Sequence, residues 1–276
     1  MTSPGTATGL DHLALFATAA ERFAAGVAAA DLTAPVPSCP GWSVHDLVVH
    51  LGNVHAWAAT IVETGSFAVT QNDEPSSRRP RAVGDWYAAK AEDLYEVLRT
   101  TDPGRPCWNF AFGDGAAGFW RRRQLHETTV HTYDLDGAAG RTTEVAAAVA
   151  TDGVDEVLTV FLHRMHQRGH PATLVAPLCL VCEDTDRAWT VTPRPVRSDP
   201  TASVPVQPRG SSAEAAPDLV GGPPLVVDRR HPGADQVSAP AGVLYRALWR
   251  RTPVESLTRS GDQGRIDAFL GSRLVP

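Results

Sequence analysis

Apolar residues recur at intervals of three and four at Leu10, Leu13, Phe16, Ala17, Ala20, Phe23, Ala24 and Val27, which predicts an amphipathic helix over residues 9–31. Pro35, Pro37 and Pro40 interrupt it. Ser43 then stands as a cap with Asp46 three positions on, a capping-box start for a second helix that runs to about Gly65. His50, Val54 and Trp57 share one face of that helix, so His50 points with the apolar residues, while His45 and His55 lie off that face. Residues 70–81 are polar and proline-bearing and read as a loop, and Trp86, Leu94, Val97 and Leu98 predict a third helix over 83–100. Residues 102–118 carry Cys107, Trp108, Phe110 and Phe112 among glycines and prolines, and read as an irregular, aromatic-rich binding wall. A fourth helix is expected over about 118–136. A fifth is expected over 143–168, through Val145, Val149, Val154, Val157, Leu158, Phe161 and Leu162.

The period changes near Pro171. Residues 173–180, 184–187 and 188–192 read as strand, turn and strand. Residues 193–240 are rich in proline, glycine and serine with one strand-like run at 225–227, and helices are expected over 241–250 and 263–270. The pattern therefore predicts a helical domain over 1–170 followed by a smaller α+β domain over 171–276.

With 276 residues and 43% hydrophobic content, the chain can bury one large core or two modest ones. Apolar runs such as Val145–Val149 are far too short to span a bilayer, and the N-terminus has no signal-peptide pattern, so a cytoplasmic location without membrane partners is expected. A net charge of −6 without a basic stripe argues against nucleic acid. Arg121-Arg122-Arg123, the one basic run of note, reads as a solvated helix face. Lys90 is the sole lysine, a bias that suggests a GC-rich genome. Four scattered cysteines make no disulfide framework, and Cys179 and Cys182, formally C-x-x-C, sit on a predicted strand facing opposite sides. No heptad or apolar surface stripe declares an oligomeric state.

The chemistry concentrates in Gln124-Leu125-His126-Glu127-Thr128-Thr129-Val130-His131. Glu127 and His131 are one helical turn apart on one face, and His50 offers a third donor from another helix. Two imidazoles and a carboxylate suit zinc or a similar divalent ion, and three protein ligands leave a position open for catalysis. His126-Glu127 imitates the start of the zinc-protease motif H-E-x-x-H, but His126 and His131 are five apart and diverge around the helix, so His126 is not expected to ligate. Asp134 reads equally as a partner that orients His131 from outside the ligand set and as an exposed aspartate of the helix's C-terminal turn. His163, His166 and His170 read as solvated surface, and Arg246, Arg250 and Arg251 as surface charge, each with the alternative of meeting a substrate carboxylate.

Residues Cys39-Pro40-Gly41-Trp42-Ser43-Val44-His45-Asp46-Leu47-Val48-Val49-His50-Leu51-Gly52 resemble the N-terminal helix pair of the mycothiol-dependent maleylpyruvate isomerase family, within the DinB-like superfamily. The stretches His126 to Asp134, Ala150 to Glu156 and Leu244 to Pro253 resemble further parts of that family. The resemblance implies a DinB-like four-helix bundle holding Zn2+ or another divalent metal on His50, Glu127 and His131, followed by a small α+β domain of sterol-carrier type. It also implies mycothiol, the low-molecular-weight thiol of GC-rich Gram-positive bacteria, as cosubstrate. A metal-bound thiol ionises at neutral pH and can add to an electrophilic small molecule, giving an S-transferase or a cis-trans isomerase. The alternatives are a non-catalytic zinc-binding sensor or binding module on the same bundle, and a metal hydrolase, ranked last because Glu127 is committed as a ligand and cannot serve as base.

Overall fold

The structure is a computed structural model, and it describes residues 9–142, 144–194, 223–231 and 233–276. Four long helices lie in its first part: α1 (His12–Ala28), α2 (Val44–Thr64), α3 (Pro80–Thr100) and α4 (Gly118–Ala138). Asp11 caps α1 by accepting from the amide of Ala14, and Phe16, Ala20, Phe23 and Val27 form its buried stripe. The predicted capping box of Ser43 and Asp46 starts α2, and Gly65 ends it in the left-handed region at φ 73°. Pro80 opens α3, where its missing amide costs nothing. In the bundle α1 packs on α3 and α4, and α2 packs on α3 and α4.

The face assignment on α2 differs from expectation. His45 and His55 are the fully buried histidines and His50 is half-buried, because α2 is covered on two sides by α3 and α4 and its apolar sector is wider than a single stripe. The expected irregular wall at 102–118 is a hairpin of β1 (Pro106–Asn109) and β2 (Gly113–Ala116). Asn109 makes the turn by accepting from the amides of Ala111 and Phe112 at 3.0 and 2.9 Å, and Gly113 supplies the positive φ that closes it. These short-range polar signals escape a search for hydrophobic period.

Contact density divides the chain into residues 1–153 with 249–252, and residues 154–248 with 253–276. The expected fifth helix is α5 (Ala147–Glu156), one π-helical turn over Val157–Phe161, and α6 (Leu162–Gln167); its expected start at Thr143 lies outside the described residues. The second unit carries a five-stranded sheet in the order β5-β4-β3-β6-β7, formed by β3 (Leu178–Cys182), β4 (Arg187–Thr192), β5 (Leu225–Val227), β6 (Asp235–Ala239) and β7 (Thr258–Ser260). All pairs are antiparallel except β3 with β6, and α7 (Ala241–Leu248) and α8 (Gln263–Gly271) pack on the sheet. Periodicity missed β6 and β7, which are short and carry polar residues. Cys179 and Cys182 are buried cysteines of β3 outside any disulfide, and all five residues of that strand are buried. Most of the segment rich in proline, glycine and serine lies outside the described residues. Helical bundle first and α+β unit second is the architecture expected. Among the described residues, no helix is long and apolar enough to cross a membrane.

Candidate metal centre

Helix α4 explains why the site exists. It has almost no polar face: Arg123, Gln124, His126, Thr128, Thr129, His131, Thr132, Asp134 and Asp136 are all buried. Such a helix is tolerated only if its polar atoms are paired. Thr128, Thr129 and Thr132 each donate to the carbonyl four residues back. The carboxylates and imidazoles pair with one another and with arginines, and they form two clusters on different sides of the helix.

In the first cluster, Glu127 Oε1 lies 3.3 Å from His131 Nε2 and 3.7 Å from His50 Nε2. One donor atom from each residue falls within 4.8 Å of the others, and among the described residues this is the sole group of three metal-binding side chains so placed. Tetrahedral zinc with bonds of 2.0–2.1 Å sets its ligand atoms about 3.4 Å apart, so the two short edges match what one ion requires. The carboxylate's second oxygen, Oε2, accepts from Arg123 Nη2 at 2.8 Å. His131 Nδ1 bonds Asp134 Oδ2 at 2.8 Å, which leaves Nε2 facing Glu127 and His50, as an outer carboxylate does for a ligating histidine. Asp134 is held in turn by Arg251, whose Nε and Nη2 donate to its two oxygens at 2.8 Å each, and by Ser38 Oγ at 2.5 Å.

The electrostatics follow from this crowding. Burial pushes the Glu127 carboxyl up, but Arg123 and the two imidazoles outweigh it and hold it well below the carboxylate range. Burial likewise opposes protonation of His131, yet Asp134 and Glu127 win and raise it to about 9. The Cys39 thiol, 3.6 Å from Asp134 Oδ2, is pushed up to about 11 by burial and by that anion. The chain's own thiol beside the site is therefore protonated and a poor nucleophile at neutral pH.

Two readings of the sequence are corrected here. Arg121-Arg122-Arg123 is not a solvated face: Arg121 donates to the Leu98 and Thr101 carbonyls, Arg122 grips Asp152 at 2.9 Å, and Arg123 is 2% exposed on Glu127. Arg251 is not surface charge either. Its carboxylate partner is Asp134, and it and Arg123 lie 5.9 and 5.6 Å from the Trp249 ring. Arg122, Arg123 and Arg251 each had a carboxylate to neutralise and Arg121 two backbone carbonyls to cap, signals invisible without the fold. His163 and His166 are half-buried, and neither belongs to a metal-binding group among the described residues.

The second cluster is separate. His126 Nε2 lies 2.7 Å, and His12 Nε2 3.0 Å, from Asp152 Oδ2, which also accepts from Arg122. His126 thus stands away from the three-residue group, as its spacing predicted. Elsewhere in the bundle core, His55 bonds Gln124 Oε1 at 2.7 Å and Tyr87 Oη at 3.1 Å, and burial pushes its pKa down to about 4. The unfolded chain takes up this proton near pH 6.5 and the folded chain only near 4. The stability tied to neutral His55 is therefore full above pH 6.5 and lost as pH falls toward 4. Wild type is expected to lose about 2 kcal/mol more than His55→Gln between pH 7 and 5 in denaturant titrations. Equal losses in both proteins would show that His55 does not carry the effect.

Residues 13–136 match the family profile described as the mycothiol maleylpyruvate isomerase N-terminal domain. This part of the chain is similar to that family's N-terminal domain. His50, Glu127 and His131 all fall within the matched residues, whereas Arg251 lies outside them. Two solved structures share the fold of the chain: the mycothiol-dependent maleylpyruvate isomerase, with a TM-score of 0.56, and a histidine-to-alanine mutant of it, with 0.57. Each is 12% identical to this chain, and each alignment covers 91% of this chain and 92% of the other. The curated proteins contain no match. The matched residues span the four long helices, of which α2 and α4 carry the three converging donors.

Proposed function

We propose that this protein is a mycothiol-dependent metalloenzyme in which His50, Glu127 and His131 hold zinc or a similar divalent ion. The observation that carries this reading is the convergence of two imidazoles and one carboxylate, each with a dedicated outer partner or ring contact, inside a domain of the mycothiol maleylpyruvate isomerase family. When bound, the ion supplies a positive centre that lowers the pKa of a coordinated thiol into the neutral range. The protein's residues do the rest. Asp134 and Arg251 fix the tautomer and orientation of His131, Arg123 fixes Glu127, and Trp42, whose ring centroid lies 4.9 Å from that of His50, walls that imidazole.

The incoming thiolate then adds to an electrophilic carbon of a second small molecule. Retention of the new C–S bond makes the enzyme an S-transferase. Rotation about the former double bond followed by expulsion of the thiolate makes it a cis-trans isomerase of maleylpyruvate type. A cytoplasmic location, where such a thiol stays reduced, goes with either outcome. The test is metal analysis of the purified protein together with mycothiol titration, followed by calorimetry and by cobalt–thiolate absorption after metal exchange. One ion per chain and thiol binding that vanishes on metal removal are expected. Metal without thiol binding would overturn the enzyme reading in favour of a sensor.

A further inference from the structure

The helical unit contains a cavity of about 730 Å³ that begins at the His50 ring and runs along α2. Its walls are mainly apolar and aromatic: Trp42, Val49, Val54, Trp57 and Phe67. It is preformed rather than a gap under a loose loop. Asn53 exchanges two hydrogen bonds with the backbone of Asp73, at 2.8 and 2.9 Å, and Trp57 Nε1 donates to the Ala68 carbonyl at 3.0 Å, so the segment after α2 is tied back onto the helix. Phe67 packs edge-on against Trp108 yet remains 60% exposed, and the neighbouring Val69 is 86% exposed, so large apolar side chains sit at the cavity without a protein partner covering them. Asp46, His50, Asn53, Thr70 and Asn72 add polar groups to the lining, and a space of this size whose larger share is apolar and aromatic suits an apolar small-molecule fragment oriented by a few polar contacts.

The charge pattern narrows the ligand. Neither lysine nor arginine lines the cavity, whereas the Asp46 carboxylate does, ionised by its bonds to Ser43. The guanidinium groups of Arg123 and Arg251 are engaged with Glu127 and Asp134. Along these walls a dicarboxylate would meet the Asp46 anion and no lysine or arginine, its one favourable charge being the ion proposed at the His50 end; an uncharged ring suits the rest of the wall without that penalty.

We propose that this cavity binds the uncharged, apolar part of the electrophile, and that the second substrate is an aromatic or alicyclic α,β-unsaturated carbonyl compound rather than a small dicarboxylate. This rests on the thiol-dependent reading above. In the reaction the thiolate sulfur bonds to the β-carbon, the alkene electron pair moves onto the α-carbon and carbonyl, and a proton completes the conjugate. Nothing is oxidised or reduced.

The test separates binding from chemistry. N-phenyl-1-naphthylamine, an uncharged dye that brightens in apolar sites, is titrated into metal-free protein and then displaced with benzylideneacetone, maleate or mycothiol. Dye binding and displacement by benzylideneacetone are expected, with maleate and mycothiol inert at tenfold higher concentration. Val54→Arg, at a half-buried position of the wall, and Phe67→Ala, at an exposed one, are each expected to weaken benzylideneacetone tenfold or more. Displacement by maleate, displacement by mycothiol, or unchanged affinity in both variants would each overturn the proposal. Because these readings need no metal, they stand or fall independently of thiol activation. Metal-loaded protein with mycothiol is then assayed for loss of the enone absorbance. Failure of that assay with intact dye displacement would count against the thiol-dependent reading and leave the cavity assignment standing.

Discussion

Glu127→Ala is expected to abolish binding of the proposed divalent metal and with it the proposed thiol-dependent activity. The carboxylate is the shared vertex of the site, 3.3 Å from one imidazole and 3.7 Å from the other, so its loss leaves two histidines that do not hold an ion by themselves at micromolar concentrations. Metal affinity should fall by more than about 100-fold, beyond the 10–100-fold that outer partners typically carry. Truncation also leaves Arg123 buried without its anion, so Glu127→Gln is the companion variant: it keeps an acceptor for Arg123 and removes only the charge. His50→Ala and His131→Ala should behave alike. His126→Ala is the contrast, because His126 serves Asp152, and it should keep its metal while losing about 1–3 kcal/mol of stability. Metal content measured on all five proteins after dialysis decides the matter. Full occupancy in Glu127→Ala, or loss of metal in His126→Ala, would contradict the assignment of donors.

Much of this was legible in the sequence because it follows from spacing. The i, i+4 relation of Glu127 and His131, the misplaced spacing of His126, and the capping box that starts α2 are all one-dimensional facts with direct geometric consequences. The bundle helices α1 to α3 were visible because each carries an apolar sector against polar surroundings. The arginines were not legible, because a buried Arg123 and an exposed one look alike until the partner carboxylate is placed beside it. Arg251 is the harder case: it lies 117 positions from Asp134 in sequence, and no local pattern links them. The polar strands β6 and β7 were missed for a related reason. Their pairing, including the parallel ladder of β6 with β3, is set by neighbours remote in the chain rather than by their own alternation.

Arg123→Met is expected to make the protein bind its metal more tightly and use it less well. The guanidinium sits on the far oxygen of the proposed ligand Glu127, so a bound dication would face a second positive charge across one carboxylate, roughly 6 Å away. At an effective dielectric of 20 that repulsion is about 5 kcal/mol, an upper bound but larger than the 1–3 kcal/mol that loosening an outer hydrogen bond costs, so charge decides the sign. Metal affinity measured against a competing chelator should rise by at least about tenfold, while the metal-free variant, left with a buried and less compensated Glu127, should be destabilised by about 3–5 kcal/mol. Removing a positive charge also weakens the field that ionises the thiol. The pH midpoint of cobalt–thiolate absorption should therefore move upward by about one unit, and activity at pH 7 should fall with it. Arg123→Lys, which keeps the charge and loses the fork, should leave that midpoint in place. Weaker metal binding with an unmoved midpoint in Arg123→Met would mean that Arg123 only orients Glu127. The expected pair of shifts would show that a cation is kept in the core, against its cost in metal affinity, to sharpen the acidity of whatever thiol the ion receives.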